Sequence, residues 1–253
     1  MTNHASITQQ TWLVLGATSP VARAFARLAA ERGDAVLLAA RGTDETESIA
    51  QDIRIRTGAD VSTVPFDATA FSEHEAFVER CVHEARSTLN IFLAFGSMPA
   101  QEKMERDFDL ARQAIEVNYV GAVSVLSRLA PVMEQQRGGR IVVLGSTAGD
   151  RGRRKNYIYG SAKAGLHAYL QGLRGRLHRS GVTVLTVKPG FIDTAMTWGR
   201  PGVFLLASPE GLAKACLRYA DQGADVKYYP WFWRPIMTII KLIPERIFKR
   251  LSF

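Results

Sequence analysis

The chain lacks the features that mark secreted, metal-binding or membrane-spanning proteins. Its two cysteines, Cys81 and Cys216, form no CxxC or metal-ligand spacing, so we expect reduced, buried thiols, no metal site and a cytoplasmic setting. The first ten residues are polar and have no basic start, so no signal peptide is expected. No window reaches the roughly 20 apolar residues that a spanning helix needs.

The sequence also has too few acidic residues to balance its basic ones. Lys and Arg number 32 against 24 Asp and Glu, a formal net charge of +8. Part of this excess is expected to serve solubility, and part lies in two local clusters, 151–155 and 230–253. With 47% hydrophobic residues among 253, the chain can fill one sizeable core.

Short apolar runs alternate with helix-like stretches, without a linker or a repeat. Strands are predicted at 11–16, 35–40, 61–67, 90–96, 140–146 and 182–190. Helices are predicted at 20–32, from the end of the second strand to about residue 57, and at 72–86, 105–136 and 157–179. Because strands with every position apolar are covered on both faces, the sheet should be parallel and lie between two helix layers. The predicted fold is α/β, a single-domain Rossmann-type doubly wound parallel sheet over 1–229.

The first strand-turn-helix has the residues of a dinucleotide phosphate site. Gly16 allows a tight bend, and free N–H groups at the start of the next helix would hold a pyrophosphate. Ser19 suits the N-cap and Pro20 the first helical position, although Pro20 removes one N–H donor. A turn with a purely structural role would show the same pattern.

The second strand ends at Arg41 without an acidic residue. An acid there would bind the adenosine ribose 2′-hydroxyl of NAD(H), whereas an arginine can pair with the 2′-phosphate of NADP(H). The sequence therefore favours NADP(H) over NAD(H), while the nearby Asp44 keeps NAD(H) open.

Ser146, Tyr159 and Lys163 have the spacing of an acid/base site. Ser146 ends the fifth strand, Tyr159 follows thirteen residues later, and Lys163 comes four residues after that. Helix positions four apart share one face, so Tyr159 and Lys163 point into the same space. A neighbouring ammonium makes a phenol a better acid/base by lowering its pKa, and a serine hydroxyl can hold a carbonyl oxygen beside it. The pattern predicts acid/base chemistry at a carbonyl or alcohol oxygen.

On these motifs the chain resembles the short-chain dehydrogenase/reductases over nearly its whole length. The matching segments are GATSPVA (16–22), FDAT (66–69), AFG (94–96), NYVG (118–121), GSTAG (145–149), YGSAK (159–163) and PGFIDT (189–194). The resemblance implies an NAD(P)-dependent oxidoreductase. A homo-oligomer is expected, and no nucleic-acid partner, because no aromatic-basic platform is evident.

The resemblance also implies a role for each matching residue. Asn118 would bend its helix and hold a water for the proton relay, and Ser146 would orient the substrate carbonyl. Tyr159 would be the general acid/base, with Lys163 binding the nicotinamide ribose and lowering the pKa of the tyrosine. The implied cofactor-binding residues are Gly16, Thr18, Ser19, Val21, Arg41, Asp67, Ala68, Ala94, Gly96, Tyr159, Lys163, Pro189, Gly190, Ile192 and Thr194.

Two segments depart from the family pattern, and both touch the cofactor site. Pro20 and Ala22 stand where the glycine motif has glycines, and Ala94 stands where an asparagine is usual.

The first basic cluster places Arg151, Arg153, Arg154 and Lys155 between Ser146 and the tyrosine motif. In this family the segment borders the substrate mouth, so the three arginines are candidates to bind a substrate phosphate. A solvated loop or an oligomer contact is the alternative.

The second cluster, 230–253, combines tryptophans, aliphatic residues and spaced cations, which is typical of a segment lying on an anionic bilayer. Pro235 and Pro244 are expected to break a helix there, so the segment should not span the membrane. Packing on the core or on a partner subunit is the alternative.

Both clusters resemble the branch of decaprenylphosphoryl-2-keto-ribose reductases, in AGDRGRRKNYIYG and in the WFWRP and IPERIFKR stretches. This implies reduction of a lipid-linked phosphorylated keto-sugar, at the inner face of the membrane. The alternatives are a soluble ketone or alcohol as substrate, or a non-catalytic dinucleotide-binding sensor. The complete set of Asn118, Ser146, Tyr159 and Lys163 favours an enzyme.

Overall fold

Strands and helices alternate along the computed structural model, which describes residues 10–195, 197–198 and 205–251. The strands are β1 (Gln10–Leu15), β2 (Ala35–Ala40), β3 (Val61–Pro65), β4 (Thr88–Leu93), β5 (Arg140–Leu144), β6 (Thr183–Pro189) and β7 (Val226–Tyr229). The α-helices are α1 (Pro20–Glu31), α2 (Thr43–Thr57), α3 (His74–Glu84), α4 (Gln101–Arg106), α5 (Phe108–Ile115), α6 (Gly121–Gln136), α7 (Tyr157–Leu177), α8 (Pro209–Asp221), α9 (Trp233–Leu242) and α10 (Glu245–Phe248). Three 3₁₀ turns lie at Phe71–Glu73, Thr147–Asp150 and His178–Ser180, and a π turn at Glu116–Val120.

These strands form one parallel sheet in the order β3-β2-β1-β4-β5-β6-β7. The chain builds outward from β1 to β3, crosses back to β4 and then builds outward the other way, so the direction reverses between β1 and β4. Doubly wound sheets bind ligands at the carboxyl ends of the strands beside such a reversal. The predicted fold class is confirmed, and the loops after β1, β4 and β5 become the place to look for a site.

Each face of the sheet carries its own apolar core. Along β1, Leu13 and Leu15 point into one core and Trp12 and Val14 into the other, and all four are at most 1% exposed. Helices α3, α6 and α7 cover the first face, and α1, α2 and α8 cover the second. Burial on both faces explains why these strands are continuous apolar runs.

The long helical stretch predicted at 105–136 is the main departure in the first 190 residues. It begins earlier, at Gln101, and is interrupted at Asp107, whose carboxylate caps α5 by accepting the Leu110 N–H at 3.1 Å. A second interruption, the π turn, precedes α6. Most other boundaries agree with the prediction to within about three residues, the usual uncertainty of helix and strand ends.

Part of the C-terminal segment packs on the core. Trp233 and Met237 on α9 are 3% and 0% exposed. The expectation that Pro235 breaks a helix is wrong: Pro235 is the third residue of α9, where a backbone N–H has no intrahelical acceptor to lose. Pro244 does separate α9 from α10. Among the described residues, no helix has both the length and the apolar character to cross a membrane.

Both cysteines are buried free thiols, as expected. Burial raises the pKa of the Cys81 thiol to about 12, and it raises the pKa of Cys216 as well. Within the part of the chain that the structure describes, no group of three or more His, Cys, Asp or Glu could hold a metal ion.

Candidate active site

Gly16 bends the chain directly after β1 and packs against the loop after β4. Its φ is 84°, a left-handed conformation that favours glycine. A Cβ on Gly16 would lie only 2.7 Å from the backbone nitrogen of Phe95. Both observations require glycine here, and they join the first loop of the site to the fourth-strand loop.

The start of α1 offers free donors to an anion. Ser19 caps the helix by accepting the Ala22 N–H at 3.2 Å. Within the described chain, the backbone N–H groups of Thr18 and Val21 have no hydrogen-bond partner. The first turn of α1 contains no acidic residue, so the helix dipole and these two N–H groups suit a pyrophosphate even though Pro20 lacks a donor.

Arg41 and Asp67 approach each other at the carboxyl ends of β2 and β3. The Asp67 Oδ1 accepts hydrogen bonds from the Thr69 N–H and hydroxyl, both at 2.8 Å. Burial acts to raise the pKa of Asp67, but the two Thr69 hydrogen bonds and the charge of Arg41 outweigh it and lower the pKa. Arg41 itself is exposed at the strand end. A fixed carboxylate and an accessible guanidinium therefore lie where the adenosine end of a dinucleotide is expected.

Asn118 joins the π turn to the loop after β4. Its Nδ2 donates to the carbonyl oxygens of Ser97 at 2.5 Å and Ala114 at 2.8 Å, and its Oδ1 accepts the Ser97 N–H at 3.3 Å. A Cβ on Gly96 would lie 2.8 Å from this Oδ1 and 3.7 Å from the Lys163 Nζ. Asn118 thus lies in a π turn that interrupts the helix, and Gly96 leaves room for both side chains.

Tyr159 and Lys163 lie one turn apart on α7, and only 6% and 4% of their surfaces are exposed. The Lys163 Nζ lies 5.9 Å from the centre of the Tyr159 ring and donates to the carbonyl oxygen of Leu144 at 3.2 Å. Burial lowers the pKa of Lys163 from 10.5 to about 8, which still leaves an ammonium at neutral pH. A buried cation in this position favours the phenolate form of the tyrosine.

Ser146 keeps its hydroxyl proton available. Its Oγ accepts the Ala148 N–H at 3.1 Å and so caps the 3₁₀ turn that follows β5. A hydroxyl that accepts one hydrogen bond can still donate its own. A Cβ on Gly160 would lie 2.9 Å from the Ala148 carbonyl oxygen, so this turn packs closely against the first turn of α7.

A third residue of α7, His167, supports the Ser146 loop. Its Nε2 accepts the Ser146 N–H at 3.3 Å. A Cβ on Gly145 or Gly149 would lie 2.4 or 2.7 Å from the imidazole, so the glycines on either side of the serine make room for the ring. Burial, with the charge of Lys188, lowers the pKa of His167 to about 3. The ring is therefore neutral, with its proton on Nδ1.

Behind His167 lies a buried ion pair. The Asp150 Oδ1 accepts from the Lys188 Nζ at 2.6 Å and its Oδ2 from the Tyr228 hydroxyl at 2.6 Å. The Asp150 and Lys188 side chains are 3% and 13% exposed, and the His167 Nδ1 lies 3.8 Å from the same Oδ1. Burial and the hydrogen bond to Asp150 raise the pKa of Tyr228. This network ties the Ser146 loop to β6 and β7.

The loop predicted to close over nicotinamide begins at Pro189, the last residue of β6. A Cβ on Gly190 would lie 2.0 Å from the Trp233 Nε1, so the glycine allows α9 to pack under this loop. Ile192 is buried, and its carbonyl oxygen accepts the Thr194 hydroxyl at 3.4 Å. The C-terminal segment thus contacts the candidate cofactor loop directly.

The three arginines predicted to contact substrate have different environments. Arg151 donates to three backbone carbonyl oxygens at the end of α9 and pairs with Glu245, so its guanidinium is occupied within the fold. These contacts favour a structural role for Arg151, and its contact with a substrate phosphate stays a prediction. Arg153 is partly buried, its Nε has no hydrogen-bond partner among the described residues, and burial lowers its pKa. Arg154 is exposed. Arg153 and Arg154 are therefore the better placed of the three arginines to contact a ligand.

Known proteins are similar to this chain in sequence. Residues 10–201 match the family model for short chain dehydrogenases. An uncharacterized oxidoreductase of Mycobacterium tuberculosis is 36% identical over 239 residues, which cover 94% of this chain and 96% of the relative. Another, of Streptomyces coelicolor, is 36% identical over 255 residues and 99% of each chain. The chain belongs to the short-chain dehydrogenase family. It is an oxidoreductase, as predicted.

Solved structures share the fold. A short-chain dehydrogenase from Sphingobium yanoikuyae in complex with NADPH has a TM-score of 0.79 at 24% identity, over 93% of this chain and 97% of the other. L-sorbose reductase from Gluconobacter frateurii, complexed with NADPH and L-sorbose, has a TM-score of 0.79 at 20% identity, over 89% and 96%. At these identities the likeness concerns the fold alone.

In this short-chain dehydrogenase the predicted residues converge on one edge of the sheet. Gly96 brings Asn118 to Lys163, and α7 carries Lys163 with Tyr159 and, through His167, holds Ser146. The predicted cofactor residues outside α7 lie at the same edge, Val21 in the first turn of α1, Pro189 at the end of β6 and the others in the loops: Gly16, Thr18, Ser19, Arg41, Asp67, Ala68, Ala94, Gly96, Gly190, Ile192 and Thr194.

Sequence reasoning missed the support beneath Ser146. His167 follows Lys163 by four residues, so the spacing that identifies Tyr159 and Lys163 also indicates it. No local signal links Asp150 to its partners, because Lys188 is 38 residues away and Tyr228 is 78.

The Asp150–Lys188 pair should behave as one unit. Asp150→Asn should cost about 3–5 kcal/mol of the free energy of unfolding, because it leaves a buried ammonium without a carboxylate, and Lys188→Met should cost a similar amount. The double variant removes both charges and should lose clearly less than the sum of the single losses. Urea unfolding of the four proteins measures this. Strictly additive losses would show that the two residues act independently.

The buried ammonium of Lys163 should make stability depend on pH. The folded pKa of about 8 lies below the ordinary 10.5, so the unfolded chain holds the proton more tightly and the wild type gains stability as pH rises between these values. Lys163→Met should therefore be the more stable protein at neutral pH, and its advantage should shrink across that window. Urea unfolding at a series of pH values tests this, with the exposed Lys214→Met as control. A difference that stays constant with pH would contradict the assignment.

Proposed function

We propose that this chain interconverts a carbonyl group and an alcohol with NADP(H), and that Tyr159 transfers the proton. The observation that carries the proposal is the buried Lys163 ammonium on the same helix face as Tyr159, with the Asn118 amide also near Gly96. A chain that only bound a dinucleotide would need neither the Tyr159 phenol nor the Ser146 hydroxyl. The complete set of side chains favours catalysis over a sensor.

The residues at the sheet edge fit the cofactor. The free N–H groups of Thr18 and Val21 suit the pyrophosphate, and Arg41 suits a 2′-phosphate. The NADPH in the solved relatives supports the same choice. When bound, NADPH supplies the hydride to the carbonyl carbon.

The protein side chains bind the substrate oxygen and supply its proton. Ser146 donates its hydroxyl hydrogen to the substrate oxygen, and Tyr159 gives that oxygen its proton as negative charge develops there. The Lys163 ammonium stabilises the phenolate that remains. Asn118, whose side-chain amide is held by Ser97 and Ala114, keeps the loop after β4 in place, and the predicted relay water would return the proton.

The substrate we propose is an amphipathic ketone that carries an anion, with a lipid-linked phosphorylated keto-sugar as the candidate. Arg153 supports this, since its partly buried guanidinium has an unpartnered Nε and lies between the Ser146 turn and α7. The exposed Arg154 and Lys155 add positive charge to the same segment. Arginine suits a phosphate because it can donate two parallel hydrogen bonds.

Tyr159→Phe should abolish turnover while NADPH still binds. Removal of the acid should lower kcat by roughly 10²–10⁴-fold. The assay is NADPH oxidation over a panel of ketones that includes phosphorylated, lipid-linked keto-sugars, with NADPH binding titrated separately. Tyr157→Phe is the matched control, because Tyr157 lies on the same helix and is 45% exposed. Retained activity in Tyr159→Phe would remove the assigned acid, and a preference for uncharged ketones would remove the proposed substrate class.

Arg41→Ser should weaken NADPH binding by roughly tenfold or more and leave NADH binding nearly unchanged, because only NADPH loses a charge-assisted hydrogen bond. Calorimetric titration of both cofactors measures the two dissociation constants. Arg27→Ser, on the neighbouring α1, is the control. Equal weakening for both cofactors would count against a 2′-phosphate contact.

A further inference from the structure

Helix α9 has a second apolar face that the core does not use. Its inner face buries Trp233 and Met237. Ile239 and Leu242, which are 66% and 76% exposed, follow Pro235 at the i, i+4, i+7 spacing that forms one stripe on a helix. This outer stripe points away from the inner face, so an apolar surface remains open on an element that is already anchored.

The cations of this segment are not balanced. Arg234 and Lys241 lie beside the outer stripe, one above the other at i and i+7. Arg246, Lys249 and Arg250 follow on and after α10. These five cations form no ion pair with any described residue. The sole acidic residue in 230–251 is Glu245, which already pairs with Arg151.

The first basic cluster, residues 151–155 between the Ser146 turn and α7, is the mouth segment, and it extends this positive surface. A cleft between that segment and α10 is lined by Gly152, Arg154, Glu245, Phe248, Lys249, Arg250 and Leu251. Three of its lining side chains are cationic and one is anionic. The cleft therefore suits anionic groups such as the headgroup phosphates of a lipid surface.

Arg151 makes the mouth segment and the C-terminal helices one unit. Its Nη1 donates to the carbonyl oxygens of Ile240, Lys241 and Ile243 at 2.9, 2.9 and 2.7 Å. Its guanidinium also lies 3.9 Å from the centre of the Phe248 ring. Anything that binds the outer face of α9 is therefore held next to the segment that leads to Tyr159.

We propose that residues 231–251 form a docking surface for an anionic phospholipid bilayer, with Ile239 and Leu242 entering the interface and the five cations facing the headgroups. A helix with an apolar stripe and an unbalanced basic flank binds in this way. A second copy of the chain fits less well, because an isologous contact would bring the same cations against each other. The inference is independent of the proposed reaction.

Vesicle flotation tests the proposal on the full chain. Vesicles of phosphatidylcholine alone are compared with vesicles that also contain phosphatidylglycerol. Wild type should bind only the anionic vesicles, and added salt should weaken the binding. Lys249→Gln with Arg250→Gln should reduce affinity roughly 30-fold, since each cation near an anionic surface contributes about a fivefold factor. Ile239→Ser with Leu242→Ser should reduce it by roughly tenfold or more.

Two exposed positions far from the segment in sequence provide controls. Ile55→Ser, at a residue 85% exposed on α2, matches the apolar change, and Lys214→Gln on α8 matches the charge change. Both should bind vesicles as wild type does. NADPH oxidation with a soluble ketone should be the same in all variants, which separates failure of docking from failure of catalysis.

Three results would overturn the proposal. Wild type that binds neither kind of vesicle has no such surface. Variants of 231–251 that bind like wild type would place the surface elsewhere. Loss of self-association in Ile239→Ser with Leu242→Ser, with vesicle binding unchanged, would assign the stripe to a second copy of the chain.

Discussion

A single buried charge, the ammonium of Lys163, constrains the rest of the site. A lysine with 4% of its surface exposed is costly to fold, and the lowered pKa expresses that cost. Among the described residues, its one hydrogen-bond acceptor is the Leu144 carbonyl oxygen, and the ring of Tyr159 lies nearby. An ammonium can donate three hydrogen bonds, so Lys163 keeps donors for a bound ribose while its charge acts on the phenol.

Glycines allow the side chains and loops around Lys163 to pack closely together. Gly96 lets Asn118 and Lys163 share the space after β4, and the glycines on either side of Ser146 let the His167 ring lie against its loop. His167 stays neutral because burial and nearby cations disfavour its charged form, so it can accept the Ser146 N–H at any ordinary pH. The serine is thus positioned by the same helix that carries the acid and its helper.

Much of this was predictable from local pattern. The apolar runs gave the strands through β6, and the four-residue spacing on α7 gave Tyr159 and Lys163. The elements after residue 190 and the true environment of Arg151 were not predictable in the same way. They depend on contacts such as that of Arg151 with the end of α9, about 90 residues later, for which the sequence has no local signal. The prediction of a helix break at Pro235 was wrong because a proline in the first turn of a helix removes no intrahelical hydrogen bond.

The central claim is that Lys163 makes Tyr159 an effective acid. It is tested most directly by following the ionisation of Tyr159 itself, as an ultraviolet difference titration against Tyr159→Phe, in the wild type and in Lys163→Met. The account predicts that the Tyr159 phenolate forms at lower pH when Lys163 is present. Ionisation at the same pH in both backgrounds would contradict it.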